Sequence, residues 1–577
     1  MRWIEDNRWD PKYPLWTRAN VGEVLPEPPS PLGWDMVFEG GTILGWRDCM
    51  TNRLGIEPHE SDPVRPEVMG VFGGYAYLGA TLLRVWAERT PGFSAEMLDD
   101  AYFAGHPDVP PYEPQEWHYN PHTTEVMTGW LGWVMGDKSQ AELEADRAEA
   151  HRVRDSRPDL STMTEQQLFD RAASLKPLCR RLFDQHINQS GAASIAPGVI
   201  GAVCAAVGRP EVAMRLMAGM GDVDSAAPSF AMWEMSRTVN SHPELVELFE
   251  AGRKGLNERL RSDYRSAPVA FASRLDDFLA EYGSRGPNEW DIHSPTWETD
   301  PDLVLALIDA MRGAPDDAAP AAENARREAE RRQLGAEIAE ALAADADAQA
   351  QFLAALESAQ VFLPGRERSK TNIIRVIGEV RMALWEIGRR AVARGQLHKP
   401  RDICLLFADE VQQLISGDLD EVAELAAERQ AHLDYLASRE PPFIFNSGPV
   451  PPSEWPVRGG EAIEVADAGT MLSGLPGCPG KARGRAVVVQ HPSDPGDLGP
   501  GDILVAPMTD PAWTPLFVPA AAVVVNVGAP LSHAIIVSRE LGIPCVVSVT
   551  GATDRIPNGA IIEVDGDSGT VTVIEAG

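Results

Sequence analysis

The pair Ser532-His533 stands where residue type and position best suit covalent chemistry. It follows a Gly/Pro turn, Gly528-Ala-Pro-Leu531, and precedes a run in which Ile535, Ile536 and Leu541 recur at helical spacing until Gly542 and Pro544 stop it. Ala520 to Val527 before the turn and Cys545-Val-Val-Ser-Val549 after the run read as strands. His533 is therefore expected at the N-terminus of a helix, in a strand–turn–helix–strand frame. Unpaired N–H groups and the positive end of the helix dipole stabilise an anion there. An imidazole so placed is suited to carry a phosphoryl group. A histidine that only caps the helix would show the same local pattern.

A second group of residues could meet such a phosphate. Gly365-Arg-Glu-Arg-Ser-Lys370 reads as the opening of a helix with three cations in its first turns. Cations are disfavoured at that end of the dipole, so a bound anion is one way to hold them; a solvated face or an ion pair is the plain alternative. Arg366 and Lys370 lie one turn apart, on one helical face. The turn Tyr282-Gly-Ser-Arg-Gly-Pro-Asn-Glu-Trp-Asp291 is expected to expose Arg285 and Glu289 as acceptor-site candidates. An acceptor hydroxyl calls in principle for a general base. His118, His122 and His293 have the chemistry, and each also reads as a structural histidine. Met214, Leu216, Met217 and Met220, with Phe230, Met232, Trp233 and Met235, read either as an apolar pocket wall or as core.

The elements that must position these residues divide the 577-residue chain, which is too long for one core. Residues 1–66, rich in Pro, Trp and Gly, read as an extended lead-in to a helical substrate domain over 67–440. Ala318 to Leu356 is expected as a long exposed helix, with Asn372 to Gly395 a separate one. Prolines crowd Glu440 to Pro456, so 441–470 reads as a stiff linker. Beyond it, 471–577 turns to Val, Gly, Ile and Asp in short strands. The expected fold class is multidomain: a large, mostly α-helical substrate domain and a small α/β domain that swivels.

Composition narrows the function classes. A net charge of −34 repels nucleic acid and anionic membranes, so neither is an expected partner. No signal peptide and no run of about 18 consecutive apolar residues is evident. The six cysteines, at 49, 179, 204, 404, 478 and 545, form no Cys-x-x-Cys pair, so no metal site or disulfide framework is expected and a reducing cytoplasm is the expected home.

From about Gly474 onward the chain resembles the swivelling phosphohistidine domain of the phosphoenolpyruvate-utilising enzymes. The resemblance rests on the Ser532-His533 segment, on Pro500-Gly-Asp-Ile-Leu-Val-Ala-Pro-Met-Thr-Asp-Pro-Ala-Trp-Thr-Pro-Leu-Phe517, and on Asn558 to Gly566 and Gly569 to Val573. It implies that His533 is the phosphoryl carrier, with Ser532 beside the phosphate. One departure is Ala529-Pro530-Leu531, where many members have Gly, a variable residue and Thr. Residues 14–440 resemble the substrate-binding half of the rifampicin phosphotransferase group. They do so through Trp16 to Leu32, Tyr75-Ala-Tyr-Leu78, the Arg285 turn, Arg366 with Lys370, and the stretch ending Gly395 to Asp402. There the resemblance gives Arg366 and Lys370 the role of holding the phosphoryl group at the acceptor. Ser284 departs from it, since members often have histidine before that Arg-Gly. No ATP-grasp domain and no phosphoenolpyruvate-binding barrel is recognisable in the chain. The layout is similar to the phosphohistidine subunit of two-component phenylphosphate and cresol-phosphorylating synthases. That implies a separate ATP-grasp subunit (pyruvate phosphate dikinase-like) using ATP and Mg2+, no tightly bound cofactor, and a small hydroxylated aromatic acceptor. A rifamycin-type phosphotransferase subunit and a non-catalytic phosphocarrier are the alternatives.

Overall fold

A computed structural model of the protein describes residues 2–57, 60, 62, 65–103, 106, 108–221, 223–459, 465–492, 494–528 and 532–577. The chain forms two compact units. The first holds residues 1–191, 288–294 and 369–462; the second holds 192–287, 295–368 and 463–577.

The core of the first unit is built around the C-terminal part of helix Ala346–Ala393. Ile373, Ile374, Ile377, Val380, Leu384 and Ile387 recur at three- and four-residue steps and are all fully buried, the wide apolar stripe of a core helix. Leu168, Leu182, Phe183, Trp34 and Phe38 pack against them. A four-stranded sheet lies in the same unit, in the order Met69–Phe72, Tyr75–Gly79, Trp16–Thr17, Ile444–Phe445. Gly73 and Gly74, with φ of 58° and 80°, make the tight turn between its first two strands. The Tyr75 and Tyr77 hydroxyls donate to the carbonyls of Leu436 and Pro442.

The second unit contains an eight-stranded mixed sheet. Its centre is parallel, Lys481–Val488, Ile503–Ala506, Ala522–Val525 and Cys545–Val547. Side chains alternate between two buried faces, which explains runs as apolar as Ala522-Val-Val-Val525. Ala486, Ile503, Val505, Ala522, Val524 and Val546 face one cluster. Val487, Leu504, Val523, Val525 and Val547 face the other, which they share with Met232, Met235, Phe271, Val304 and Ile308 from the helices. The fold class is thus as expected: a mostly helical multidomain protein with a small C-terminal α/β domain.

Several boundaries differ from the sequence reading. Residues 1–66 are not extended throughout, because Pro31 to Arg53 is continuously helical, with π-helical turns at Trp34–Thr42 and Cys49–Arg53. Ala346–Ala393 is one 48-residue helix with Pro364 inside it, so Gly365 does not open a helix. Buried Phe352, Ala355, Ala359 and Phe362 on one side of the proline and Ile373 onward on the other hold it together against the local cost. Residues 192–287 and 295–368 share a unit with the C-terminal fold instead of forming one domain with the rest of 67–440. The proline-rich stretch is packed: Ile444–Phe445 is a strand, and Trp455, buried, meets the Tyr75 ring at 5.8 Å. Residues 460–464 of the expected linker lie outside the described residues. The helices Glu165–Ser174 and Lys176–Ala206 are together long and apolar enough to cross a membrane, and 39% of that apolar window is buried within the protein.

Candidate active site

His533 is the first residue of helix His533–Leu541, as its motif predicts. Ser532 precedes it in extended conformation, and the Ser532 carbonyl accepts the Ile536 N–H at 3.1 Å, closing the first turn. The Ser532 hydroxyl is buried and caps nothing. Gly528 passes so close that a Cβ there would lie 2.8 Å from the Val547 Cβ and 3.2 Å from this hydroxyl, so the turn needs glycine. Ala529, Pro530 and Leu531, the departure from the family pattern, lie outside the described residues. At the far end Gly542 adopts φ 67°, and Arg327 donates to its carbonyl at 3.0 Å. A Cβ on Gly542 would collide with that guanidinium.

Both nitrogens of the half-buried imidazole meet threonine hydroxyls. Nε2 lies 3.0 Å from Thr514 Oγ1, and Nδ1 lies 3.1 Å from Thr509 Oγ1. Phe517 meets the ring edge-on at 6.0 Å. Each hydroxyl can donate or accept, so the pair serves either tautomer. A group added to either nitrogen would take the place of one hydroxyl while the other kept the ring oriented. The sequence reading missed these threonines. Their signal is the loop Met508-Thr-Asp-Pro-Ala-Trp-Thr-Pro515, in which the Asp510 carboxylate accepts the Ala512 N–H at 2.8 Å and fixes the turn between the two threonines.

Arg366 belongs to the same unit. It lines a cavity of about 10 Å³, roughly one water in size, with Ile536, Arg539 and Glu540 of the His533 helix. Ile536 is one turn from His533 on the same face, so Arg366 addresses the helix on its histidine side. Glu540 accepts the Met220 N–H at 3.0 Å, and burial pushes its carboxyl above the usual range. Burial likewise pulls Arg539 down, with Glu540 opposing and Arg366 adding repulsion. The methionine-rich segment is largely core: Met232 and Met235 are buried among the helices, while Met220 reaches this cavity.

Each cation of the 366–370 segment has a carboxylate partner. Arg366 pairs with Glu367 at 2.9 Å, Arg368 with Asp224 at 3.6 Å, and Lys370 with Glu289 at 3.4 Å. The segment is mid-helix and acidic side chains hold its cations, so there is no unfavourable helix terminus for an anion to relieve. Arg285 and Glu289 are buried, not exposed. The Arg285 backbone is tied to Tyr282 and Trp297. Glu289 sits in a loop pinned by Arg381, which donates to the carbonyls of Glu289 and Asp291, by Trp385, which donates to that of Ile292, and by Ser30, whose hydroxyl and N–H donate to the Asp291 carboxylate.

The three candidate bases lie in other surroundings. The Nδ1 of His118 takes up the Gln115 N–H and the Tyr112 hydroxyl. His122 is 3.9 Å from Glu57. His293 is held below the usual imidazole range by burial, with Asp291, Arg401, Asp402 and Lys399 as its charged neighbours. A histidine not singled out in the sequence, His186, has its Nδ1 2.9 Å from Ser369 Oγ, next to Lys370. Among the described residues no three His, Cys, Asp or Glu side chains gather as a metal site.

The second unit, with a histidine helix on a parallel sheet and a helical partner, is where the comparisons with known proteins converge. Residues 185–367 match the rifampicin phosphotransferase fourth domain, and residues 498–569 match the mobile domain of PEP-utilising enzymes. In these two stretches the chain is similar to PEP-utilising proteins of the rifampicin phosphotransferase type. Among curated relatives it is similar to the prodigiosin synthesizing transferase PigC of Serratia marcescens, 28% identical over 541 residues, which is 88% of this chain and 57% of that protein. An uncharacterized protein of Mycobacterium tuberculosis is 31% identical over 65% of the chain and 40% of its own length. The rifampicin phosphotransferase of Streptomyces sviceus is 28% identical over 60% and 39%. The chain thus spans about two fifths to three fifths of the length of these relatives.

Proposed function

We propose that this chain is a phosphotransferase component that carries a phosphoryl group on His533 and delivers it to a hydroxyl. The observation that carries the reading is the His533 ring, at the N-terminus of its helix and bracketed by Thr509 and Thr514, inside the segment that matches the mobile domain. In transfer, an acceptor oxygen attacks phosphorus in line and the P–N bond breaks with its electrons returning to the imidazole. Arg366 and Lys370 stabilise charge on the equatorial oxygens. Ser532 and the helix N-terminus hold the same charge from the other side. Loading is assigned to a separate ATP-grasp subunit that binds ATP and Mg2+. The acceptor is a small phenol or cresol, whose hydroxyl is more acidic than an alkanol's and needs less activation.

A second reading, a rifamycin-type antibiotic acceptor, is supported equally by the fourth-domain match and by relatives that bear the rifampicin phosphotransferase name. One experiment separates them. The chain is phosphorylated chemically with phosphoramidate, using His533→Ala as the blank, and offered phenol, 4-cresol or rifampicin while 31P signals are followed. The reading requires an acid-labile, base-stable adduct on His533 that passes to phenol or cresol. Passage to rifampicin alone selects the second reading, and an adduct that reaches none of the three leaves a phosphocarrier without acceptor chemistry.

A further inference from the structure

We infer that Ser548 is a positioning residue for His533: its hydroxyl fixes the Gly528 end of the turn that leads into Ser532 and His533. The inference rests on the carrier reading above, and every residue it uses lies in the second unit. It starts from backbone strain. Ser548 has φ 55°, in the left-handed region that side chains rarely adopt and glycine enters freely. The burial of its neighbours explains why the chain kinks there. Val546 and Val547 face opposite apolar clusters, as successive strand residues do. Regular alternation would send Val549 to the cluster of Val547. It joins the cluster of Val546 instead, and its N–H donates to the Val525 carbonyl at 3.0 Å. Glycine at 548 would make this kink without strain. What serine adds is the hydroxyl.

That hydroxyl donates to the Gly528 carbonyl at 2.5 Å. The bond ties together the segments that leave the carboxyl ends of two adjacent parallel strands, Ala522–Val525 and Cys545–Val547. Sites of open α/β sheets lie at such ends. The same two segments are clasped a second time. The Asn526 amide donates to Thr553 Oγ1 at 2.8 Å, and its carbonyl oxygen accepts the Thr553 N–H at 3.0 Å. Gly528 in turn lies against Val547 and the Ser532 hydroxyl, with no room for a Cβ between them.

A chain of direct contacts therefore runs from Ser548 through Gly528 to Ser532, the residue before the first turn of the His533 helix. Without the Ser548 hydroxyl the Gly528 peptide is free to rotate, and the Ser532 hydroxyl and the N–H groups of that first turn lose their register with the ring. A strained residue whose side chain is spent on the turn before the carrier histidine is strain put to functional use. Stability and rate should then separate, because the strain that costs stability is what orients the turn.

The test uses the full chain with phosphoramidate as phosphoryl donor and His533→Ala as the blank. Ser548→Gly relieves the strain and removes the hydroxyl. It should melt at or above the wild-type temperature, yet form the His533 adduct about 10-fold more slowly, the scale of a slightly misplaced reacting group. Ser548→Thr keeps the hydroxyl but places a branched side chain in the left-handed region. It should melt lower, yet form the adduct at close to the wild-type rate. A purely structural role would make rate follow melting temperature in both variants, and that result overturns the inference. So does a Ser548→Gly protein phosphorylated as fast as the wild type. Should Ser548→Thr fail to fold, the 15N signals of the His533 ring in Ser548→Gly decide, and signals unmoved from the wild type overturn the inference. Wild-type protein that forms no acid-labile adduct on His533 refutes the carrier reading and the inference with it, an outcome distinct from equal rates in wild type and Ser548→Gly.

Discussion

At the residue scale the site is a division of labour. His533 has the two properties a carrier needs: a helix N-terminus for the charge, and two hydroxyls that fix the ring without blocking both nitrogens. Arg366 and Lys370 occupy one turn of one helix but keep different company, Arg366 beside the His533 helix and Lys370 with Glu289. Replacing either by alanine should reduce transfer from phospho-His533 by about 100-fold or more, the scale of removing one preorganised charge-stabilising donor. Formation of the adduct should be much less affected. Measuring the two half-reactions separately in Arg366→Ala and Lys370→Ala checks this; equal losses in both halves would remove the residue from the transfer step.

At the scale of the element, the His533 helix is acidic in the wrong place for a buried segment. Glu540, on its last turn, is buried, and its carboxyl is raised above the ordinary value of 4.5 chiefly by burial. The folded state therefore holds the proton more tightly than the unfolded chain does. The sign follows: stability present below about pH 4.5 is lost as pH rises through the raised value, and then levels off. Glu540→Gln keeps a carbonyl for the Met220 N–H and removes the titration. Urea midpoints from pH 4 to 8 should fall for the wild type relative to this variant as pH rises above about 4.5. Parallel curves would mean that Arg539 and the Met220 N–H fully offset the burial.

At the scale of the whole molecule, the apolar contact between the sheet and the helices of the second unit bears on delivery. Val487, Leu504, Leu516 and Phe517 share a core with Val304, Ile308 and Met311. A carrier that visits two places must release this contact or take the helices with it. A crosslink joining helix Asp302–Met311 to helix Thr514–Phe517 should leave adduct formation on His533 intact and stop multiple turnovers. Unchanged steady-state turnover in fully crosslinked protein would count against a swivelling domain.

Local rules sufficed for what depends on neighbours in sequence. The strand–turn–helix–strand frame around His533 was legible because apolar periodicity, a Gly/Pro turn and a C-terminal glycine act over a few residues. The switch from helical to strand-rich texture before residue 471 was legible for the same reason. Tertiary packing decided the rest. Pro364-Gly365 reads locally as a helix boundary, yet buried apolar side chains on both sides carry one helix through it. Glu289 reads as exposed by its turn, yet Arg381, Trp385 and Ser30, residues far away in the chain, hold the 289–292 loop inward. His186 carries no motif, and only the approach of two helices sets it against Ser369. Spacing can place a side chain on a face of its own element; which distant element meets that face is settled by the burial of both.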